Sequence, residues 1–161
     1  LDVTGVKSYT QRGVTDRSDT RSGQGVVMRI GFMTEQSRRE MLASFVIAYK
    51  MVLQGHELYA PEATARCIRE AAGLKVNCFL PGNMGGINQL ISQIERNELD
   101  AMIYFYSPGK EMQFDFVANT SQFGVLLRTC DEYCIPLATN LGSAEVLIMG
   151  IANGDLDWKN S

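Results

Sequence analysis

The residues best suited by type and spacing to do chemistry form one run, Leu80-Pro81-Gly82-Asn83-Met84-Gly85-Gly86-Ile87-Asn88-Gln89. The run follows an apolar strand-like segment and opens a helix-like one, so it reads as a glycine-rich turn at the carboxyl end of a strand. In open parallel sheets, helix amino ends at such turns present N–H groups to anions, and ligands bind there. The implied chemistry is the cradling of phosphate or another small anion by Gly82, Gly85 and Gly86. The turn also lacks something. Ile87 stands at the helix start, where an acid or base would be wanted. An enzyme's scaffold is expected, with much of its chemistry removed.

The other reactive side chains give weaker signals. His56 is the sole imidazole, and it precedes a strand-like run, where a structural role is the simpler reading. Arg38 and Arg39 follow the first apolar run and suit either phosphate or solvent. The cysteines Cys67, Cys78, Cys130 and Cys134 form no C-x-x-C pair and have no histidine beside them, so no metal site is expected. Cys130 and Cys134 stand four apart on a predicted helix, which puts them on one face as small buried apolar groups. The eight methionines are scattered among core positions, and no cofactor is expected.

Composition narrows the class. A chain of 161 residues with 45% hydrophobic and 20% charged residues suits one soluble globular domain. A net charge of −3 provides no electrostatic footprint for nucleic acid. The longest apolar stretch, residues 41–53, is broken by Ser44, Tyr49 and Lys50 and falls short of the ~20 residues of a membrane span. No apolar signal-like run is visible. The expected location is therefore a reducing one, cytoplasm or organelle matrix, rather than secretion.

These residues are positioned by a strand–helix alternation that begins at Val26. Residues 26–33 read as a buried strand. Ser37-Arg38-Arg39-Glu40 reads as an S-x-x-E capping box for a helix whose apolar face runs from Met41 to Leu53 and which ends at Gly55. Residues 57–60 form a second strand, and a helix from Pro61 and Glu62 closes at Gly73. Residues 75–80 and 99–106 are the third and fourth strands. A loop over 107–118 leads to a helix carrying Phe123, Leu126 and Cys130. Residues 135–139 make the fifth strand, and Ser143 caps a last helix ended by Gly154. Five strands separated by helices imply an α/β class: one doubly wound domain with a five-stranded parallel sheet and right-handed crossovers.

Residues 1–25 stand apart from this domain of residues 26–161. They are rich in Gly, Ser and Thr, and their apolar side chains follow no period. A polar segment of this kind keeps a fixed place only against something else. Its few apolar groups favour a neighbouring subunit or another protein, in a homo-oligomer or a hetero-complex. Met84, Met112, Phe114 and Phe116 fall in predicted loops and would add an apolar partner patch if exposed.

With the turns in place, residues from about 30 to 158 resemble the methylglyoxal synthase family. The carrying segments are His56-Glu57-Leu58-Tyr59-Ala60, the run from Phe79 to Gln89, and Leu99-Asp100-Ala101-Met102-Ile103-Tyr104-Phe105-Tyr106-Ser107-Pro108. Leu126-Leu127-Arg128, Ile135-Pro136-Leu137-Ala138-Thr139-Asn140 and Gly154-Asp155-Leu156-Asp157-Trp158 continue it in the family's order. The resemblance implies a doubly wound domain, a homohexamer, and conversion of dihydroxyacetone phosphate into methylglyoxal and phosphate. That reaction needs a carboxylate base, an electrophile for the oxyanion and an anion cradle.

Carried over residue by residue, the resemblance implies a depleted site. The family's aspartate base falls on Ile87, and its His-Asp pair after the first strand falls on Glu35-Gln36. Its Thr-Gly-Thr-Thr phosphate run becomes Pro61-Glu62-Ala63-Thr64, and the serine of the glycine turn becomes Pro81. Its Asp-Pro becomes Ser107-Pro108, its catalytic histidine falls at Asn119, and a nearby aspartate falls at Gln122. Arg39, Thr64, Gly82, Gly85, Gly86 and Arg128 remain to attract phosphate or a small phosphorylated ligand. Glu35 and Glu62 are the nearest acids in the predicted rim and the candidates to substitute for the base. Two readings follow: a pseudoenzyme serving as a structural or regulatory subunit, or a drifted but active lyase. Between them lies a small-anion sensor.

Overall fold

The computed structural model describes residues 25–107 and 122–160. The loop bearing Met112, Phe114, Phe116 and Asn119, and the segment 1–24, lie outside the described residues.

The strands are β1 (Arg29–Thr34), β2 (Glu57–Pro61), β3 (Asn77–Phe79), β4 (Ala101–Phe105) and β5 (Leu137–Ala138). They form one parallel sheet in the order β3-β2-β1-β4-β5. The helices are α1 (Arg39–Ala48), α2 (Lys50–Leu53), α3 (Glu62–Ala72), α4 (Gly86–Glu95), α5 (Gln122–Glu132) and α6 (Leu141–Asn153). The expected α/β architecture is what forms. Because helices cover both faces, the central strands are near-continuous apolar runs, and β4 is buried at every position.

The two faces hold separate apolar layers. On one face Leu42, Phe45, Ile68, Ala144 and Ile148 from α1, α3 and α6 pack on Ile30, Phe32 and Ile103. On the other, Ile87, Leu90, Ile94, Leu126 and Cys130 from α4 and α5 pack on Met102 and Tyr104. Burial pushes the Cys130 thiol up to about 12, so it serves as a small apolar group.

One charged pair fixes the strand starts. Asp100 is buried, and it accepts from the Arg29 backbone N–H at 2.7 Å and from the Arg29 Nε at 3.1 Å. This bond to Asp100 holds the Arg29 guanidinium above its ordinary range. The pair ties β1 to β4, the two strands between which the connection order reverses.

Several local expectations are corrected. The capping box does not form: residues Gln36–Arg38 make a 3-10 turn, Arg38 is the N-cap of α1, and no side chain caps it. Ser37 Oγ instead meets Ser107 Oγ across the ends of β1 and β4. The long first helix is interrupted at Tyr49, with φ −111°, a break that no Gly or Pro marks. The first strand begins at Arg29 rather than Val26, and β3 and β5 are shorter than their apolar runs. The last helix is capped by Asn140, whose Oδ1 accepts from the Ser143 N–H at 3.0 Å, so Ser143 is the receiver of the cap. Cys134 lies beyond the end of α5 with φ 55° and is exposed, so it does not share a buried face with Cys130.

His56 has the structural role expected of it. Its Nδ1 accepts from the Met28 N–H at 2.9 Å, which places the imidazole proton on Nε2. Burial lowers its pKa from the ordinary value near 6.5. In the unfolded chain His56 therefore takes up a proton at higher pH than in the folded one. Stability is full above about pH 6.5 and is lost as the pH falls from there through the depressed folded value. Urea unfolding between pH 7.5 and 5.5 is expected to show this slope, and His56→Leu to abolish it. That variant is also expected to lose about 1 kcal/mol at pH 7.5, through loss of the bond from the Met28 N–H to the imidazole.

Candidate functional site

In a sheet of this order the ligand crevice lies beyond the carboxyl ends of β1 and β4, where the winding reverses. Three segments meet beside it: the end of β1, the start of α3 and the glycine turn after β3. Thr34 N–H donates to Thr64 Oγ1 at 3.2 Å, joining β1 to α3. A Cβ placed on Gly82 would meet Met33 Cε at 3.4 Å and Ile87 Cδ1 at 3.9 Å, so the turn rests on these two apolar side chains. A Cβ on Gly86 would approach Pro61 Cβ at 3.1 Å, so the turn also packs on the first residue before α3.

The turn is built from within. Met84 N–H and Gly86 N–H both donate to the Pro81 carbonyl, at 2.9 and 3.0 Å. Leu80 N–H donates to Gln89 Oε1 at 2.8 Å. Gly85 has φ 110°, a region that L side chains rarely adopt. Two N–H groups that a phosphate would use are thus spent on the Pro81 carbonyl. Glycine is required here by the turn itself, whatever the ligand.

Ile87 is 5% exposed and belongs to the apolar layer with Leu90, Ile91 and Met102. A hydrocarbon wall therefore stands at the start of α4. Glu35, the first residue past β1, is half-buried, and its N–H donates to the Phe105 carbonyl at 3.0 Å. Glu62 is exposed in the first turn of α3, and its carboxylate lies 3.5 Å from Arg66. That pair is half exposed and contributes little.

The candidate anion ligands are spread out. Thr64 is 1% exposed, with its oxygen already accepting from Thr34 N–H, so it presents no surface to a ligand. Arg39 lines a cavity of about 350 Å³ between α1 and α3 together with Arg66, Cys67 and Glu70. Arg128 is exposed on α5. The structure brings Gly82, Gly86, Ile87 and Thr64 to one place, with Pro61 and Met33 between them. Among the described residues no group of His, Cys, Asp and Glu is arranged to hold a metal.

Two site features escaped the sequence reading. One is the Ser37–Ser107 contact, which bridges the crevice where β1 and β4 end. The other is an aromatic cluster, Tyr104, Tyr106 and Phe123, with Tyr106 and Phe123 centroids 4.8 Å apart. The cluster clasps the end of β4 to the start of α5. Only the aromatic run 104–106 signalled it, and the partner in α5 is a matter of tertiary packing.

Comparison with known proteins bears on this geometry. A family model described as the MGS-like domain matches residues 43–139. Methylglyoxal synthase of Caldicellulosiruptor saccharolyticus is 41% identical over 132 residues, covering 82% of this chain and 90% of that one. The chain belongs to the methylglyoxal synthase family. Methylglyoxal synthase of Geobacillus thermodenitrificans is 39% identical over 133 residues, covering 83% and 89% of the two chains. The crystal structure of methylglyoxal synthase from Elizabethkingia anophelis superposes with a TM-score of 0.65 at 22% identity. It covers 76% of this chain and 77% of that one, and it agrees with the fold. The family resemblance read from the glycine turn and the strand ends thus holds over most of the chain. No described helix is long and apolar enough to cross a membrane.

Proposed function

We propose that this chain is a methylglyoxal synthase-like protein that keeps the family's scaffold and a weak affinity for small phosphorylated ligands but does not run the elimination. It acts as a structural or regulatory member of an assembly. The observation that carries this reading is Ile87, a buried hydrocarbon at the position where the family resemblance calls for the proton acceptor. An aliphatic side chain takes no proton. Pro61 and Pro81 support the reading, because each removes an N–H from the turns that flank a phosphate.

The names of the relatives favour a second reading over the first: a carbon–oxygen lyase that converts dihydroxyacetone phosphate to methylglyoxal and phosphate. Relatives so named match 82–83% of the chain at 38–41% identity. That reading requires Glu35 or Glu62 to reach within about 3 Å of the substrate proton. The Glu62 N–H donates to the Leu80 carbonyl at 3.4 Å, which sets that acid beside the glycine turn, but its carboxylate lies 3.5 Å from Arg66, and the Glu35 N–H is bonded to Phe105.

One assay separates the two. The full chain is incubated with dihydroxyacetone phosphate beside the Geobacillus thermodenitrificans relative, and methylglyoxal is measured. Loss of the base and the oxyanion partner is expected to leave turnover about 10⁴-fold or more below the relative. Phosphate is expected to raise the unfolding temperature modestly, through preferential binding to the folded state. Turnover within tenfold of the relative, lost in Glu35→Gln or Glu62→Gln, would establish the lyase instead.

A further inference from the structure

The end of the sheet opposite the crevice holds a polar cavity of about 490 Å³. It lies where the connections over residues 54–56 and 73–76 enter β2 and β3. Glu57, Lys75 and Asn77 are exposed at its edge, and the buried Leu53 and Leu74 back it. A Cβ on Gly73, which also lines it, would meet nothing within 4 Å. The space is open on that side as well.

Strand register explains why a cavity forms here. β3 joins β2 at the pair Tyr59–Asn77, so Glu57 and Leu58 of β2 run ahead of it. Carried back two residues, the same register would set Lys75 opposite Glu57 as a cross-strand ion pair. Residues 74–76 lie outside the sheet instead, and no ion pair joins Lys75 to Glu57. The Tyr59 hydroxyl donates to Glu57 Oε1 at 2.9 Å and steadies that carboxylate. Opposite charges thus line one cavity without meeting across it.

A backbone donor is left in the same gap. The Leu58 carbonyl accepts from Asn77 Nδ2 at 3.0 Å, so that edge of Leu58 faces β3. The Leu58 N–H lies on the same edge. A longer β3 would supply its acceptor, yet β3 has not begun there, and no bond among the described residues engages it. Leu58 is 1% exposed, so bulk water replaces the missing partner poorly.

These three groups select a ligand by its charges. A carboxylate suits the Lys75 ammonium and the Leu58 N–H. A simple anion would be repelled by Glu57, whose carboxylate calls for a cation. An α-amino acid carries both charges on one small body, and the cavity is of the size that small-molecule sites have. We propose that this cavity binds a free α-amino acid, its carboxylate on Lys75 and the Leu58 N–H and its ammonium on Glu57. The site is independent of the crevice and of what the crevice does.

The test is calorimetric titration of the full chain with the common L-amino acids in turn, with phosphate present to occupy the crevice. At least one is expected to bind in the millimolar range or tighter. Lys75→Met and Glu57→Gln, both at exposed positions, are each expected to weaken that binding about tenfold. Lys75→Arg is expected to keep it, and about 0.5 M salt to weaken it severalfold. The same compound without its amino group is expected to bind the wild type about tenfold more weakly, and Glu57→Gln to remove that difference. Absence of binding by every amino acid would overturn the proposal, as would binding that both variants leave unchanged. Equal affinity of the wild type for the deaminated acid would also overturn it, in favour of a plain anion site.

Discussion

Ile87→Asp is expected to destabilise the folded chain by about 3–5 kcal/mol at pH 7, from lost apolar burial together with an unsupported buried carboxylate. The wild-type side chain is 5% exposed within the layer of Leu90, Ile91 and Met102, and no cation stands among those neighbours. Burial raises the new carboxyl's pKa in the folded state above its unfolded value of about 3.9. Its folded-state penalty is therefore least below that unfolded value and grows as the pH rises through the raised folded one. Urea unfolding of the full variant at pH 4.5 and 7.5, each referred to the wild type, reads this directly. Ile87→Val, expected to cost about 0.5–1.5 kcal/mol with no such pH dependence, is the packing control. If Ile87→Asp were as stable as the wild type at pH 7.5, the wall beside the glycine turn would have room for a hydrated carboxylate. The case for an inert cleft would then fail.

Gly86→Ala is expected to cost about 3 kcal/mol or more, because the clash is between backbone and Cβ and has no flexible side chain to yield. A Cβ there would lie 2.0 Å from the Leu80 carbonyl oxygen and 3.0 Å from its carbon. The turn cannot open to relieve this without losing the bond from Gly86 N–H to Pro81 and that from Leu80 N–H to Gln89. Gly73→Ala is the comparison. Gly73 has φ 67° but nothing within 4 Å of its would-be Cβ, so only the left-handed backbone penalty of about 1–2 kcal/mol applies. Thermal or urea unfolding of the two variants separates steric exclusion from backbone preference. Equal losses would mean that the Gly86 turn relaxes and that its tightness is not what demands glycine.

That second result bears on how a glycine-rich motif should be weighed. Gly85 and Gly86 look like an anion cradle in the sequence, yet φ 110° and the Leu80 carbonyl account for both without a ligand. The motif marks the crevice's place in the fold. Whether the crevice binds depends on N–H groups, and Pro81 has taken two of them.

The sequence by itself determined the α/β class, the parallel sheet and the site's place beyond the strand ends. Period and punctuation are local properties, and apolar runs such as residues 101–106 admit few alternatives once both faces must be covered. It also determined the family, and with it the aliphatic residue at position 87. Only the tertiary structure decided which polar groups are already engaged. Thr64 is consumed by Thr34, Ser37 leaves its expected cap to meet Ser107, and His56 accepts from Met28. Each partner lies 28 or more residues away, a distance that no spacing rule spans.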